Sequence, residues 1–182
     1  MIAWPHPDEY SPFFQGYLDD LAAAVPELRD GAADILAVLE RQGAETRDLL
    51  SGIPESQGGF RYAPGKWTIK EVVGHLADAE QVLAWRALAV SRGERQELPG
   101  FEEDDWVAAA NFTEWKLADL AANLADIRRV TVALFRGLNG TMWTRAGTAN
   151  GSRITAGALA FIIAGHERHH VNILRERYLS QV

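Results

Sequence analysis

Residues 160–178 read AFIIAGHERHHVNILRERY, an apolar run suited to a packed interior followed by His166, His169 and His170, three of the chain's five histidines. Leu159, Ile163, His166, His170 and Ile173 recur at helical spacing, so the stretch reads as a buried helix with imidazoles on its inner face. On an α-helix, residues four apart differ by about 40° in direction and roughly 6 Å in height, so one cation can reach both His166 and His170. His169 shares a face with His166 at three-residue spacing, and that register is an alternative. The four-residue pair is preferred because it is the spacing of H-E-x-x-H metal sites.

A helix of this kind needs partners to cover it, and the same periodicity supplies three more. From Asp30 to about Leu50, the residues Ile35, Leu39, Gln42, Thr46 and Leu49 form one stripe. It turns polar at Gln42 and Thr46, which reads as a wet edge in preference to pocket lining. WTIKEV holds a T-x-x-E capping box at Thr68 and Glu71. It opens a helix whose stripe runs through Val72, Leu76, Ala79 and Leu83 to about Val90, with His75 on the flank. Residues Gly93 to Asn111 form a long connection with a possible turn of helix at EEDDWVAAA. Thr113 is expected to cap a third long helix reaching about Gly137, with Leu117, Leu120, Leu124, Ile127 and Leu134 facing inward. A Gly- and Asn-rich loop through AGTANGS leads to the last helix, about Ile154 to Leu179.

Four long amphipathic helices and no convincing strand predict an all-α four-helix bundle over residues 30–182. An aromatic, Pro-punctuated lead-in (residues 1–29) precedes it, with one short helix around GYLDDLAAAV, and the whole reads as one domain. The long connection between the second and third helices allows those two to run parallel.

Two histidines make a weak site, and a divalent ion held by protein usually takes a third ligand while leaving a position for water or substrate. His75 is the candidate, being the one other histidine in an expected helix and lying beside a core stripe, where bundle metal sites are built. His6, between two prolines, reads as loop. Three imidazoles suit zinc or nickel first, and also iron(II) or copper(II). The string HERHH matches H-E-x-x-H, with Glu167 as the would-be general base. The extended protease form fails, however, because Ile173 stands where a turn-forming glycine is required and Glu176 would point away on a straight helix. Glu167 remains a candidate catalytic residue, against the plainer reading of a solvated carboxylate. Arg86, Gln42 and Thr46 are candidates for shaping a pocket, although ordinary surface or salt-bridge roles are favoured for them.

The 182 residues carry 18 Lys and Arg against 25 Asp and Glu, a formal charge of −7, so there is no basic field to attract nucleic acid. Zero cysteines exclude disulfides, thiolate metal sites and a protein-borne thiol nucleophile together. Thiol chemistry here must borrow its thiol. The start of the chain has neither the basic beginning nor the apolar core of a signal peptide, and no run is long enough to span a membrane, which points to the cytoplasm.

RYAPGKWTIKEVVGHLADAE, LPGFEEDDWVAAANF and IIAGHERHHVNILRERY, in that order, resemble the DinB-like (DinB/YfiT) superfamily of four-helix-bundle metal proteins from about Ala32 to Tyr178. The resemblance implies a divalent ion on three histidines, matching His75, His166 and His170, and a homodimer. It also implies a small-molecule substrate. Members include transferases of low-molecular-weight thiols, thiol-dependent isomerases and metal-dependent hydrolases. The expected function is therefore metal-assisted transfer of an external thiol to an electrophile, with hydrolysis by activated water, or metal binding without catalysis, as alternatives.

Overall fold

Helix starts are fixed where the chain satisfies its first free N–H groups. The computed structural model describes residues 2–181. Its first helix, α1 (Gln15–Ala24), belongs to the lead-in. Asp34 accepts from Leu36 N–H to open α2 (Ile35–Ser51). The capping box forms as expected: Thr68 Oγ1 accepts from Glu71 N–H at 3.2 Å, Glu71 Oε2 accepts from Thr68 N–H at 2.6 Å, and α3 (Ile69–Ser91) follows. The short α4 (Glu103–Ala109) lies within the long connection. Helix α5 (Leu117–Arg136) starts later than expected, because Thr113 sits in a separate turn of 3₁₀ helix, Phe112–Glu114. The cap there is tertiary: Glu55, from the loop after α2, accepts from Leu117 N–H at 2.7 Å.

After the short α6 (Gly140–Trp143), the Gly- and Asn-rich stretch AGTANGS is not a plain loop but part of a hairpin. Strands β1 (Ala146–Ala149) and β2 (Ser152–Thr155) pair antiparallel around Asn150-Gly151, both at positive φ, 48° and 72°. Asn-Gly suits this tight turn because each residue tolerates the left-handed region. Leu98 joins the hairpin edge through Leu98 N–H to Thr148 O and Asn150 N–H to Leu98 O. Ile154 is thus in a strand, and α7 (Ala156–Ile173) begins two residues later under a Thr155 cap. A π-helical turn, Leu174–Tyr178, ends it.

Helices α2, α5, α3 and α7 form the bundle in that order around its axis, with α1 laid along α7. One apolar cluster joins the N-terminal parts of α3 and α5, Ile69–Ala77 with Leu117–Leu124, to the C-terminal turn of α7. The other joins the C-terminal parts of α3 and α5 to Ile35–Leu39 and to the first turns of α7. So α3 and α5 run parallel, as the long connection between them permits. Among the described residues no helix is long and apolar enough to cross a membrane.

Between the two apolar clusters lies a buried polar layer: Gln42, Thr46, Glu80, Arg128, Thr131 and Glu167, together with His75 and His166. Gln42 and Thr46 are therefore not a wet edge; Gln42 Nε2 donates to Ala164 O across the bundle. Arg128 binds Glu80 through Nε and Nη2 at 2.8 and 2.7 Å. Its Nη1 donates to Glu167 Oε2 at 2.8 Å and to Leu39 O at 2.9 Å. One side chain of α5 thereby ties α3, α7 and α2. Burial by itself depresses the pKa of Arg128; Glu167 and Glu80 more than reverse this and leave it raised. Gly43 makes room for the arrangement, since a Cβ there would meet Arg128 Cγ at 2.9 Å.

Arg128→Met leaves two carboxylates buried without their cation, and should lower the unfolding free energy by about 3–5 kcal/mol in urea titrations. Adding Glu80→Gln and Glu167→Gln to that variant should restore part of the loss. A single variant as stable as the parent would show that the triad does not hold the helices.

Candidate metal centre

Helix α3 presents His75 and α7 presents His166 and His170, and the antiparallel packing of these helices brings the three rings together. One nitrogen from each lies within 4.8 Å of the others. His75 Nε2 and His166 Nε2 are 3.1 Å apart, close to the separation of two donors that share an ion at about 2 Å each. His75 and His166 are buried and His170 is half-buried. His169, the alternative partner, turns outward and pairs with Asp20 at 2.7 Å. The four-residue register is the one the fold assembles.

The rings are held from several sides. Trp67 packs against His75, with centroids 4.7 Å apart, and Tyr178 O–H fixes that indole's backbone by donating to Trp67 O at 2.8 Å. Tyr17 of α1 meets His166 edge-on at 5.1 Å. This contact depends on Gly165, where a Cβ would lie 2.4 Å from Tyr17 O and force α1 away. Burial pushes His75 down to about 4, slightly opposed by Asp104. Burial, then His75 and His169, push His170 down to about 3. His166 is held well below the usual range by burial, then by His170, His75 and His169. All three are neutral at pH 7 and offer lone pairs, the form that ligates metal.

A cavity of about 240 Å³ opens beside His75 and His166. Its wall combines one stripe of α3 (Ala79, Leu83 and Arg86), lead-in residues including Phe14 and Tyr17, the connection at Phe101, and the hairpin at Asn150 and Ile154. Neither the lead-in nor the hairpin was assigned to the site from sequence. Arg86 lines this cavity, whereas Gln42 and Thr46 do not. The expectation of a base at position 167 meets a different arrangement. Glu167 neighbours His166 in sequence, but one residue's rotation, about 100°, turns its carboxylate to Arg128, and it lines no part of this cavity.

The DinB superfamily model matches residues 38–174. The chain belongs to the DinB superfamily. No curated protein sequence matches it. Among solved structures it is similar to YfiT from Bacillus subtilis, "a probable metal-dependent hydrolase with an unusual four-helix bundle topology". The TM-score is 0.72 at 18% identity, covering 98% of this chain and 94% of that one. It is also similar to the mycothiol-dependent maleylpyruvate isomerase, with TM-score 0.63 at 15% identity, covering 75% of this chain and 58% of that one. At these identities the likeness speaks for a shared DinB fold, and the chemistry must be argued from the site.

With folded values of about 4 and 3 against an ordinary 6.5, His75 and His170 stay unprotonated while the unfolded chain takes up protons below pH 6.5. Acidification therefore favours the unfolded state across that window. The melting temperature of the EDTA-treated protein should fall steadily from pH 7 to pH 5, above the range where most carboxylates titrate. His75→Leu/His170→Leu should flatten the slope. A parent protein with a level profile over this interval would contradict the burial of neutral imidazoles.

Proposed function

We propose that His75, His166 and His170 hold a divalent cation, zinc or nickel first among those that suit three imidazoles, and that the protein uses it to transfer an external low-molecular-weight thiol to an electrophilic small molecule. The fit rests on three neutral nitrogen donors within 4.8 Å of one another, two of which, those of His75 and His166, line a cavity. When bound, such an ion supplies Lewis acidity that lowers the pKa of a thiol or water at its open position.

The chain's own residues favour the thiol. The observation that carries this reading is the diversion of Glu167 into the ion pair with Arg128. A hydrolase of the H-E-x-x-H kind needs that carboxylate beside the ion to take a proton from water; a thiol, far more acidic than water, needs no such base. Glu167 is accordingly assigned to positioning α7 and hence His166. Phe14, Leu83, Phe101 and Ile154 give part of the cavity an apolar wall suited to a soft electrophile. Tyr17 also lines it; burial raises its pKa, so its hydroxyl stays protonated and can donate to a developing negative charge. In the reaction the sulfur–carbon bond forms as the thiol loses its proton to solvent, and the electrophile's leaving group departs with its electron pair. That mycothiol dependence occurs on a similar fold supports the same choice.

Elemental analysis of untagged protein should give about one divalent ion per chain, lost in His75→Ala/His170→Ala. Metal-loaded protein should turn over 1-chloro-2,4-dinitrobenzene with a panel of small thiols, and the double variant should be slower by about 100-fold or more. Cleavage of p-nitrophenyl acetate without added thiol, in the absence of thiol transfer, would replace this reading with a hydrolase. Tight metal binding with neither activity would replace it with a binding protein.

A further inference from the structure

Two arginines of this protein expose little surface, 4% for Arg128 and 5% for Arg86, but Arg86 lies less deep, and their surroundings differ sharply. Arg128 has two carboxylates and a carbonyl. Arg86 has one hydrogen bond, Nη2 donating to Pro99 O at 2.7 Å. Its Nε is buried without a partner, and it forms no ion pair among the described residues. Burial lowers its pKa, but a guanidinium remains cationic at neutral pH. A desolvated cation without a counter-charge is costly to maintain. The chain nevertheless places this one in the wall of the cavity that holds His75 and His166.

The position along α3 adds a length. His75, Ala79, Leu83 and Arg86 form one stripe of cavity wall, and the eleven residue steps of helix from the first to the last correspond to about 16 Å of rise. The stretch between is apolar. Glu102 and Glu103 also line the cavity, but both are exposed, at its rim, as is Arg153. The interior therefore offers a histidine cluster at one end, an unpaired guanidinium at the other, and an apolar floor between them.

We infer that Arg86 is an anion-binding residue, and that the cavity takes an organic anion whose carboxylate sits on this guanidinium while its apolar body extends toward the three histidines. This deepens the function proposed above and rests on it for the identity of the reacting end. Either the thiol or the electrophile can carry the carboxylate. Arginine suits the task because its planar fork matches carboxylate geometry and its charge does not titrate away.

The test uses hexanoate and hexanamide, which share a tail and differ in charge, titrated calorimetrically into the EDTA-treated 182-residue protein at pH 7. Hexanoate should bind about tenfold or more tightly than hexanamide, and Arg86→Gln should abolish the difference while leaving hexanamide unchanged. Equal affinity for the two, no binding of hexanoate, or a preference that survives Arg86→Gln would each overturn the inference. Should Arg86→Gln not fold, Arg86→Lys keeps the charge but not the fork: it should weaken hexanoate binding and leave hexanamide unchanged, and undiminished hexanoate binding there would overturn the inference. Because no metal is present, failure here is separable from failure of the metal reading, which elemental analysis reports. A second arm finds the source. In nickel-loaded protein, weaker binding of 6-mercaptohexanoate but not of 6-mercaptohexan-1-ol to Arg86→Gln supports a carboxylate on the thiol. Loss confined to hexanoate supports one on the electrophile.

Discussion

The guanidinium of Arg128 is the point to which the rest of the bundle is referred. It touches α2 through a carbonyl, α3 and α7 through carboxylates, and it belongs to α5. Apolar side chains alone would let four helices slide or rotate by a fraction of a turn at modest cost. A buried ion triad does not, because each displaced partner is left charged in a medium that cannot solvate it. Such a triad is a weak source of net stability and a strong source of register, and here register is what the neighbouring site requires.

That site lies in the same polar layer. His166 precedes Glu167 on α7, and His75 lies five residues before Glu80 on α3, so fixing the two carboxylates on Arg128 also fixes the height and rotation at which the imidazoles meet. The layer separates two apolar clusters that each bury residues of α3, α5 and α7. The helices are thus held by ordinary burial above and below, and the expensive groups sit between, where their geometry is most constrained. The cavity opens from this layer toward the lead-in and the hairpin, elements outside the four long helices.

The similarity to a probable metal-dependent hydrolase and to a mycothiol-dependent isomerase is a likeness of fold. A bundle of this kind can host different chemistries, so what this chain does must be read from the residues of its own site. In this chain an apolar and aromatic stretch with one buried cation, Arg86, meets a polar rim at Glu102, Glu103 and Arg153, and α1 is seated on α7 by the close approach of Tyr17 to Gly165.

The bundle class could be read from the periodicity of four segments between Asp30 and Leu179, and the histidine triple and the capping box at Thr68 from residues 61–80 and 160–178, because helical periodicity, capping and chelate spacing are local properties written within a few turns of chain. The start of α5 was not readable, since its cap is Glu55, more than sixty residues away. The hairpin was partly readable: Asn150-Gly151 is a turn signal, but four-residue strands are too short to show alternation. Arg128 stands four residues after Leu124, so spacing puts it on the inner face, but its charge argues for water, and only the placement of Glu80 and Glu167 makes its burial tolerable. For the same reason Glu167 looked like a base in sequence. Sequence by itself determined which imidazoles share a helix face at chelating spacing. Which of them face each other was decided by how the helices are rotated and by what covers their ends, quantities set by packing across the whole fold.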